Sequence, residues 1–211
     1  GNGYGCTRGS EQDVLKRFYE SAKEAAADVV VRITADCPLA DPGLIDQCIR
    51  AFQQSNVDYF SNVNPVTFPD GLDVEVMTMA SLERANREAI TGYDREHVTP
   101  YISRSEFFNQ ASLVNDNDLS DFRWSVDEPE DLEVINAIYE HFYPDIFFPW
   151  RSVIDLQLTH PEIFEANSHI MRNEGGDMGS GQKLYKRAKK VIPGGNMLLS
   201  KRPEMFLPDY W

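Results

Sequence analysis

Basic residues are scarce in this sequence. The 211 residues include 20 Lys and Arg against 34 Asp and Glu, for a net charge of −14 and a pI near 4.6. Such a balance argues against a nucleic-acid partner, and a phosphate-bearing substrate would need a metal to bridge it to so acidic a surface. Cysteine is also scarce. Cys6, Cys37 and Cys48 are odd in number and stand at no ligand spacing, so neither a disulfide framework nor a zinc site is expected, and free thiols fit a reducing cytoplasm. No apolar run is long enough to span a bilayer and no signal peptide is evident, so no membrane association is expected. Hydrophobic residues still make up 42% of the chain, enough for a sizeable core without staples.

The most informative stretch is Val29-Val-Val-Arg-Ile-Thr-Ala-Asp-Cys-Pro-Leu-Ala-Asp41. Val29 to Ile33 is apolar and β-branched apart from Arg32, which predicts a buried strand of a parallel sheet. Pro38 forces that strand to stop, leaving Asp36 at its carboxyl end, where open α/β sheets bind ligands. A carboxylate there suits Mg²⁺ bound together with substrate phosphates, or simply makes a turn. Before this strand, Ser10 is the expected N-cap of a helix reaching Ala27, with Asp13 at N3 and Arg17 placed to pair with Asp13 or to reach a ligand. After it, Asp41-Pro42 opens a helix to about Gln54. Asp58 to Asn62 is a second short strand. The helix–strand–helix–strand order is βαβ logic and implies parallel strands with right-handed crossovers.

Pro69-Asp-Gly71 is turn chemistry. Leu72 to Met77 then alternates, with Asp73 and Glu75 on one face and Leu72, Val74 and Val76 on the other. The two acids either contact sugar hydroxyls or a metal-bound water, or sit on the exposed half of an edge strand. A helix follows from Thr78 to about Ala89. In Arg95-Glu-His-Val-Thr-Pro100, Arg95 and Glu96 are candidates to contact a sugar or a neighbouring subunit of a homodimer, and His97 reads as structural. Phe122 to Val126 predicts a further strand. Asp127 ends it before a helix over 132–142, either repeating the logic of Asp36 or serving as N-cap. Together Asp36 and Asp127 would hold Mg²⁺ against a triphosphate, with Arg32 and Arg123 as charge partners. Residues 144–174 are aromatic-rich, with short helices over 152–158 and 161–167.

Composition changes at 175–181, a Gly-rich stretch expected to be a linker. From Gly179 onward seven Lys and Arg face Glu204 and Asp209, a net +5 that leaves −19 for the rest of the chain.

Five motifs now carry a resemblance. They are Arg8-Gly-Ser-Glu-Gln-Asp-Val-Leu15, Arg32-Ile-Thr-Ala-Asp-Cys-Pro-Leu39, Phe68-Pro-Asp-Gly-Leu-Asp-Val-Glu75, Arg95-Glu-His-Val-Thr-Pro100 and Arg123-Trp-Ser-Val-Asp-Glu-Pro-Glu-Asp131. In this order they resemble the spore-coat-polysaccharide cytidylyltransferases, relatives of the CMP-Kdo and CMP-sialic acid synthetases. The resemblance implies an α/β, Rossmann-like nucleotidyltransferase fold with a parallel or mixed sheet flanked by helices. It also implies transfer of CMP from CTP to an acidic or amino sugar, with Asp36 and Asp127 on Mg²⁺-ligand positions. The family's opening strand and Gly/Arg/Lys-rich nucleotide loop have no counterpart ahead of Arg8. Residues 182–211, with Leu184-Tyr-Lys-Arg-Ala-Lys-Lys-Val-Ile-Pro-Gly-Gly195, resemble the start of a glutamate-1-semialdehyde-type class III aminotransferase, whose pyridoxal phosphate site would lie beyond Trp211. The expectation is a cytidylyltransferase-like domain over 1–174 within a fused cytidylyltransferase–aminotransferase, with little activity in the 211 residues alone. The alternatives are a nucleotidyltransferase using another nucleotide and a non-catalytic sugar- or partner-binding module.

Overall fold

The computed structural model describes residues 5–170 and 172, and every element below belongs to the first of two compact units, Gly1–Ser168. The expected linker at 175–181 and the basic segment after it lie outside the described residues.

The first helix, α1 (Val14–Glu24), starts at Asp13 rather than after Ser10. The Asp13 side chain accepts the Lys16 N–H, and Ser10 Oγ accepts the Asp13 N–H at 3.1 Å. The helix stops short of Ala27 because Ala26 takes a left-handed conformation, φ 48°. That turn lets Ala27 N–H reach back to the Ala22 carbonyl at 3.0 Å, a Schellman-type ending more often built on glycine. Strand β1 (Val29–Arg32) follows, then α2 (Pro42–Gln54), capped by the Asp41 side chain on Leu44 N–H with Pro42 at the first position.

Strands β2 (Tyr59–Ser61) and β3 (Glu75–Thr78) come next, and β4 (Gln110–Ser112) completes a four-stranded mixed sheet of order β1-β3-β2-β4. β1 and β2 run parallel, as βαβ logic requires, but they are not neighbours. β3 lies between them, antiparallel to both, and only β2 and β4 pair in parallel. The reason is the connection from Ser61 to Glu75, which contains no crossover helix, so the chain returns antiparallel. Asn62 pins that return: its side chain accepts Val74 N–H and donates to the Leu72 carbonyl, both at 2.8 Å.

Helices α3 (Met79–Glu88), α4 (Gly92–His97) and α5 (Pro100–Ser103) lie between β3 and β4. Thr78 and Thr91 cap α3 and α4 through their hydroxyls. After β4 come α6 (Pro129–Phe142), α7 (Trp150–Thr159) and a 3-10 turn over Pro161–Phe164.

Alternation along the strands divides the core. Tyr59 and Met77 face α1, α3 and α5 with Leu15, Leu82, Ala85, Val98 and Ile102. Phe60, Val74 and Val76 face α2 with Cys48 and Phe52. A third cluster joins Leu39, Leu44, Phe68, Leu72 and Trp124 to Val134, Ile135 and Ile138 of α6 and Trp150, Val153 and Leu156 of α7. β3 is therefore an interior strand covered on both sides, not the edge strand its alternating charges suggested. The expected strand at 122–126 is also corrected. Only a single parallel bridge joins Arg123 to Asp70, because the segment divides its bonds between two loops. Asp70 N–H binds the Phe122 carbonyl at 2.8 Å, Trp124 N–H binds the Asp70 carbonyl at 2.7 Å, and Val126 N–H binds the Asp36 carbonyl at 2.8 Å.

Candidate active site at the carboxyl end of the sheet

β1, β2 and β4 end on the same edge of the sheet, and the polar motifs emerge there. The turn after β1 holds Thr34, Asp36 and Cys37. Thr34 Oγ1 lies 3.1 Å from Cys37 Sγ, which in turn approaches Asp36 Oδ1 at 3.6 Å. Burial pushes the Cys37 thiol up to about 12, with the charges of Asp36 and Asp73 adding to the rise, so this cysteine is inert near neutral pH. The bond from Val126 N–H to the Asp36 carbonyl sets Asp36 and Asp127 on adjoining chain segments. The two acids, 91 positions apart in sequence, thus come to one edge.

Asp127 is held from behind. Arg123 Nη2 donates to Asp127 Oδ2 at 3.0 Å, while the Asp127 side chain remains 58% exposed. Arg123 itself is buried among carboxylates. Its Nε and Nη2 grip Asp131 at 2.8 Å each, and Nη1 donates to Asp70 at 3.1 Å. Asp131 is fully buried. It also accepts the N–H groups of Asp127 and Glu128 at 3.0 Å each and the Asn167 amide at 2.9 Å. Burial alone would raise its pKa, but these donors, led by Arg123, hold it down at about 2. The hydrogen bonds to Asp131 push Arg123 further above its ordinary range. Glu128, not Asp127, occupies the N-cap of α6, so capping does not engage the Asp127 carboxylate.

Gly71 locks the loop that carries Asp70. Its φ is +101°, and a Cβ there would lie 2.7 Å from the Trp124 carbonyl carbon and 2.8 Å from Ser125 N, a position only glycine fills. Asp73, two residues on, acts on Cys37 electrostatically. Asp70, Asp127 and Asp131 thus gather around the guanidinium of Arg123, while Asp36 and Asp73 flank Cys37.

The other candidates sit as follows. Glu75 is buried, with one oxygen on Arg32 Nη1 and the other on the Tyr59 hydroxyl. Arg95 makes a two-point pair with Asp13 at 2.9 and 2.7 Å and two bonds to Asn86 at 2.6 and 2.9 Å, tying α1, α3 and α4 together. Arg95, rather than the expected Arg17, is the partner of Asp13. Glu96 is exposed, and the His97 ring packs on Tyr93 at 4.4 Å. Sequence reasoning passed over Asp70, Asp131, Asn167 and Tyr59. The Asp-Gly turn and the repeated acids of 127–131 were the only local signals for the first two.

The donor set fits a hard divalent cation. Among the described residues no three His, Cys, Asp or Glu form a ready metal cage. Two carboxylates on one edge are what Mg²⁺ uses when phosphate oxygens and water complete its shell. Among the described residues Asp36 has only a thiol as side-chain partner, and Asp127 keeps oxygen surface exposed beside its bond to Arg123.

A mixed sheet flanked by helices, with acids on the loops at its carboxyl edge, defines a Rossmann-like nucleotidyltransferase. The cytidylyltransferase family model matches residues 2–170, and the chain belongs to that family. It is 35% identical over 171 residues to an uncharacterized protein of Methanocaldococcus jannaschii, covering 80% of this chain and 69% of that one. It is 31% identical over 142 residues to the spore coat polysaccharide biosynthesis protein SpsF of Bacillus subtilis, covering 65% and 58%. The solved structure of a cytidylyltransferase from Leptospira borgpetersenii superposes with a TM-score of 0.71 at 30% identity, over 74% of this chain and 66% of that one. The chain thus spans between 58% and 69% of the length of these relatives. Among the described residues no helix is long and apolar enough to cross a membrane.

Proposed function

We propose that this domain transfers CMP from CTP to a sugar in the assembly of a surface polysaccharide, with Asp36 and Asp127 holding Mg²⁺. The observation that supports the reading is the placement of these two acids on adjoining segments, joined by the Val126 N–H to Asp36 carbonyl bond, in a chain of the cytidylyltransferase family. The spore coat role printed for the Bacillus subtilis relative favours a sugar as acceptor. In the transfer, an acceptor oxygen forms a bond to the α-phosphorus of CTP as the bond to the β-phosphate oxygen breaks, and pyrophosphate leaves. Mg²⁺, when bound, supplies neutralisation of the phosphate charge. The residues supply position. Arg123 fixes Asp127 from behind, Asp131 fixes Arg123, and Gly71 lets the Asp70 loop lie against the Trp124–Ser125 backbone. Asp73, beside the Asp36–Cys37 turn, is the candidate for acceptor contact.

On its sequence motif, the segment from residue 182 is proposed as the opening of an aminotransferase domain in the same polypeptide, with pyridoxal phosphate bound by that domain.

The test is pyrophosphate release from CTP by the intact protein, with candidate sugars and Mg²⁺. Asp36→Asn is expected to lower Mg²⁺-dependent turnover at least a hundredfold, a loss on the scale of removing one preorganised electrostatic contact. Undiminished turnover in that variant would remove Asp36 from the metal site. Binding of sugar without any dependence on CTP or Mg²⁺ would favour a sugar-binding module.

A further inference from the structure

Cross-strand pairing aligns Arg32 of β1, Glu75 of β3 and Ser61 of β2 in one row. Their side chains share the sheet face that packs against α1, α3 and α5, where Val30, Tyr59 and Met77 meet Leu82 and Ile102. An ionic pair inside an apolar layer is expensive to bury, and apolar residues in its place are often at least as stabilising. Its geometry is informative. A carboxylate facing an arginine ordinarily takes two parallel N–H bonds, but Glu75 gives Arg32 only Oε2. The Tyr59 hydroxyl occupies Oε1. Burial, together with the Glu75 charge, raises the Tyr59 pKa, so the phenol stays protonated and keeps donating. Arg32 is therefore clamped by one nitrogen. Its Nε is buried without a hydrogen-bond partner, and its side chain remains 18% exposed. The guanidinium keeps unused donors at the end of β1, four residues before Asp36, on the edge where open α/β sheets take their ligands.

We propose that Arg32 is an anion seat for the bound substrate, and that Glu75 and Tyr59 are its positioning pair. The planar fork of an arginine suits a phosphate or a carboxylate oxygen. Resting on the nucleotidyl-transfer reading, that oxygen comes either from the phosphates of the nucleotide or from a carboxylate on the acceptor sugar. Glu75 is buried with both oxygens bonded within the fold. Its part is to hold the cation, while Tyr59 denies Arg32 the second oxygen and so keeps the rest of the fork available.

The experiment is calorimetric binding of inorganic pyrophosphate with Mg²⁺, and separately of glucuronate, to the intact protein and its Arg32→Gln, Arg32→Lys and Tyr59→Phe variants, with thermal unfolding measured alongside. Arg32→Gln is expected to weaken one of the two probes at least tenfold. Loss of pyrophosphate assigns the seat to the nucleotide, and loss of glucuronate assigns it to an acidic acceptor. Arg32→Lys should recover only part of the affinity, because an ammonium lacks the fork. Tyr59→Phe should shift the same probe about threefold. Wild-type protein that binds neither probe, or a folded Arg32→Gln protein that keeps both affinities within twofold, overturns the proposal. If Arg32→Gln does not fold, the same twofold limit on Arg32→Lys decides it. Failure of the transferase reading appears separately, as absent CTP turnover in wild-type protein whose probe binding still depends on Arg32.

Discussion

Asp131→Asn should be among the most damaging isosteric changes in the domain. The carboxylate is fully buried and accepts five hydrogen bonds, two from Arg123, two from the backbone of Asp127 and Glu128, and one from Asn167. An amide keeps the shape but offers one acceptor oxygen, and its NH₂ would face donors. Hydrogen bonds to charged groups contribute roughly 1.5–3 kcal/mol each, against about 1 for neutral pairs. Breaking one side of a buried ion pair costs about 3–5 kcal/mol. Arg123 keeps Asp70 and Asp127, which limits the loss to the lower part of that range, about 3 kcal/mol. Urea unfolding at pH 7 should show the midpoint falling with an unchanged slope.

The pH dependence gives a second signature of the same change. The folded pKa of Asp131 is depressed to about 2 from its ordinary value of 3.8, so its contribution is complete above the unfolded value and is lost as pH falls toward the folded one. That difference corresponds to about 2 kcal/mol. The gap between wild type and Asp131→Asn should therefore narrow from about pH 4 to pH 2. A loss below 1 kcal/mol at pH 7, or a gap that stays constant down to pH 2, would refute the reasoning.

Two further predictions concern the backbone. Gly71→Ala must hold a left-handed φ and push into the Trp124–Ser125 backbone, so it should cost about 3 kcal/mol or more and alter the fluorescence of buried Trp124. Ala26→Gly relieves a left-handed alanine at the end of α1 and should stabilise by about 0.5–1 kcal/mol after the entropy of glycine in the unfolded chain is offset, read as a raised melting temperature.

The elements legible in the sequence were those with local punctuation. Asp41-Pro42 fixed the start of α2, and the apolar spacing after it carried the helix to Gln54. The helix expected from Thr78 is α3, with Thr78 as its N-cap. β4 was not legible, because Gln110-Ala-Ser112 has neither β-branched nor aromatic residues and is a strand only through its pairing with β2. The run 122–126 has strand-like composition, yet its partners are two loops rather than a strand, and nothing local announces that. The alternation of Leu72 to Met77 implied one exposed face, whereas β3 lies inside the sheet and buries Glu75 against Arg32 and Tyr59. In the site, Asp36 and Asp127 were visible as acids at chain turns, but the joining of their segments was not, since it rests on a backbone bond across 90 residues. The same holds for the Asp13–Arg95 pair, 82 positions apart, and for the Arg123–Asp70 pair, 53 apart.

The proposed sharing of one divalent ion by Asp36 and Asp127 can be tested without turnover by titrating Mn²⁺ into the intact protein and following the loss of its free-ion paramagnetic resonance signal. One ion per chain is expected, bound at least tenfold more weakly in Asp36→Asn and in Asp127→Asn, with the double variant little weaker than either single one. Unchanged Mn²⁺ affinity in both folded single variants would contradict it.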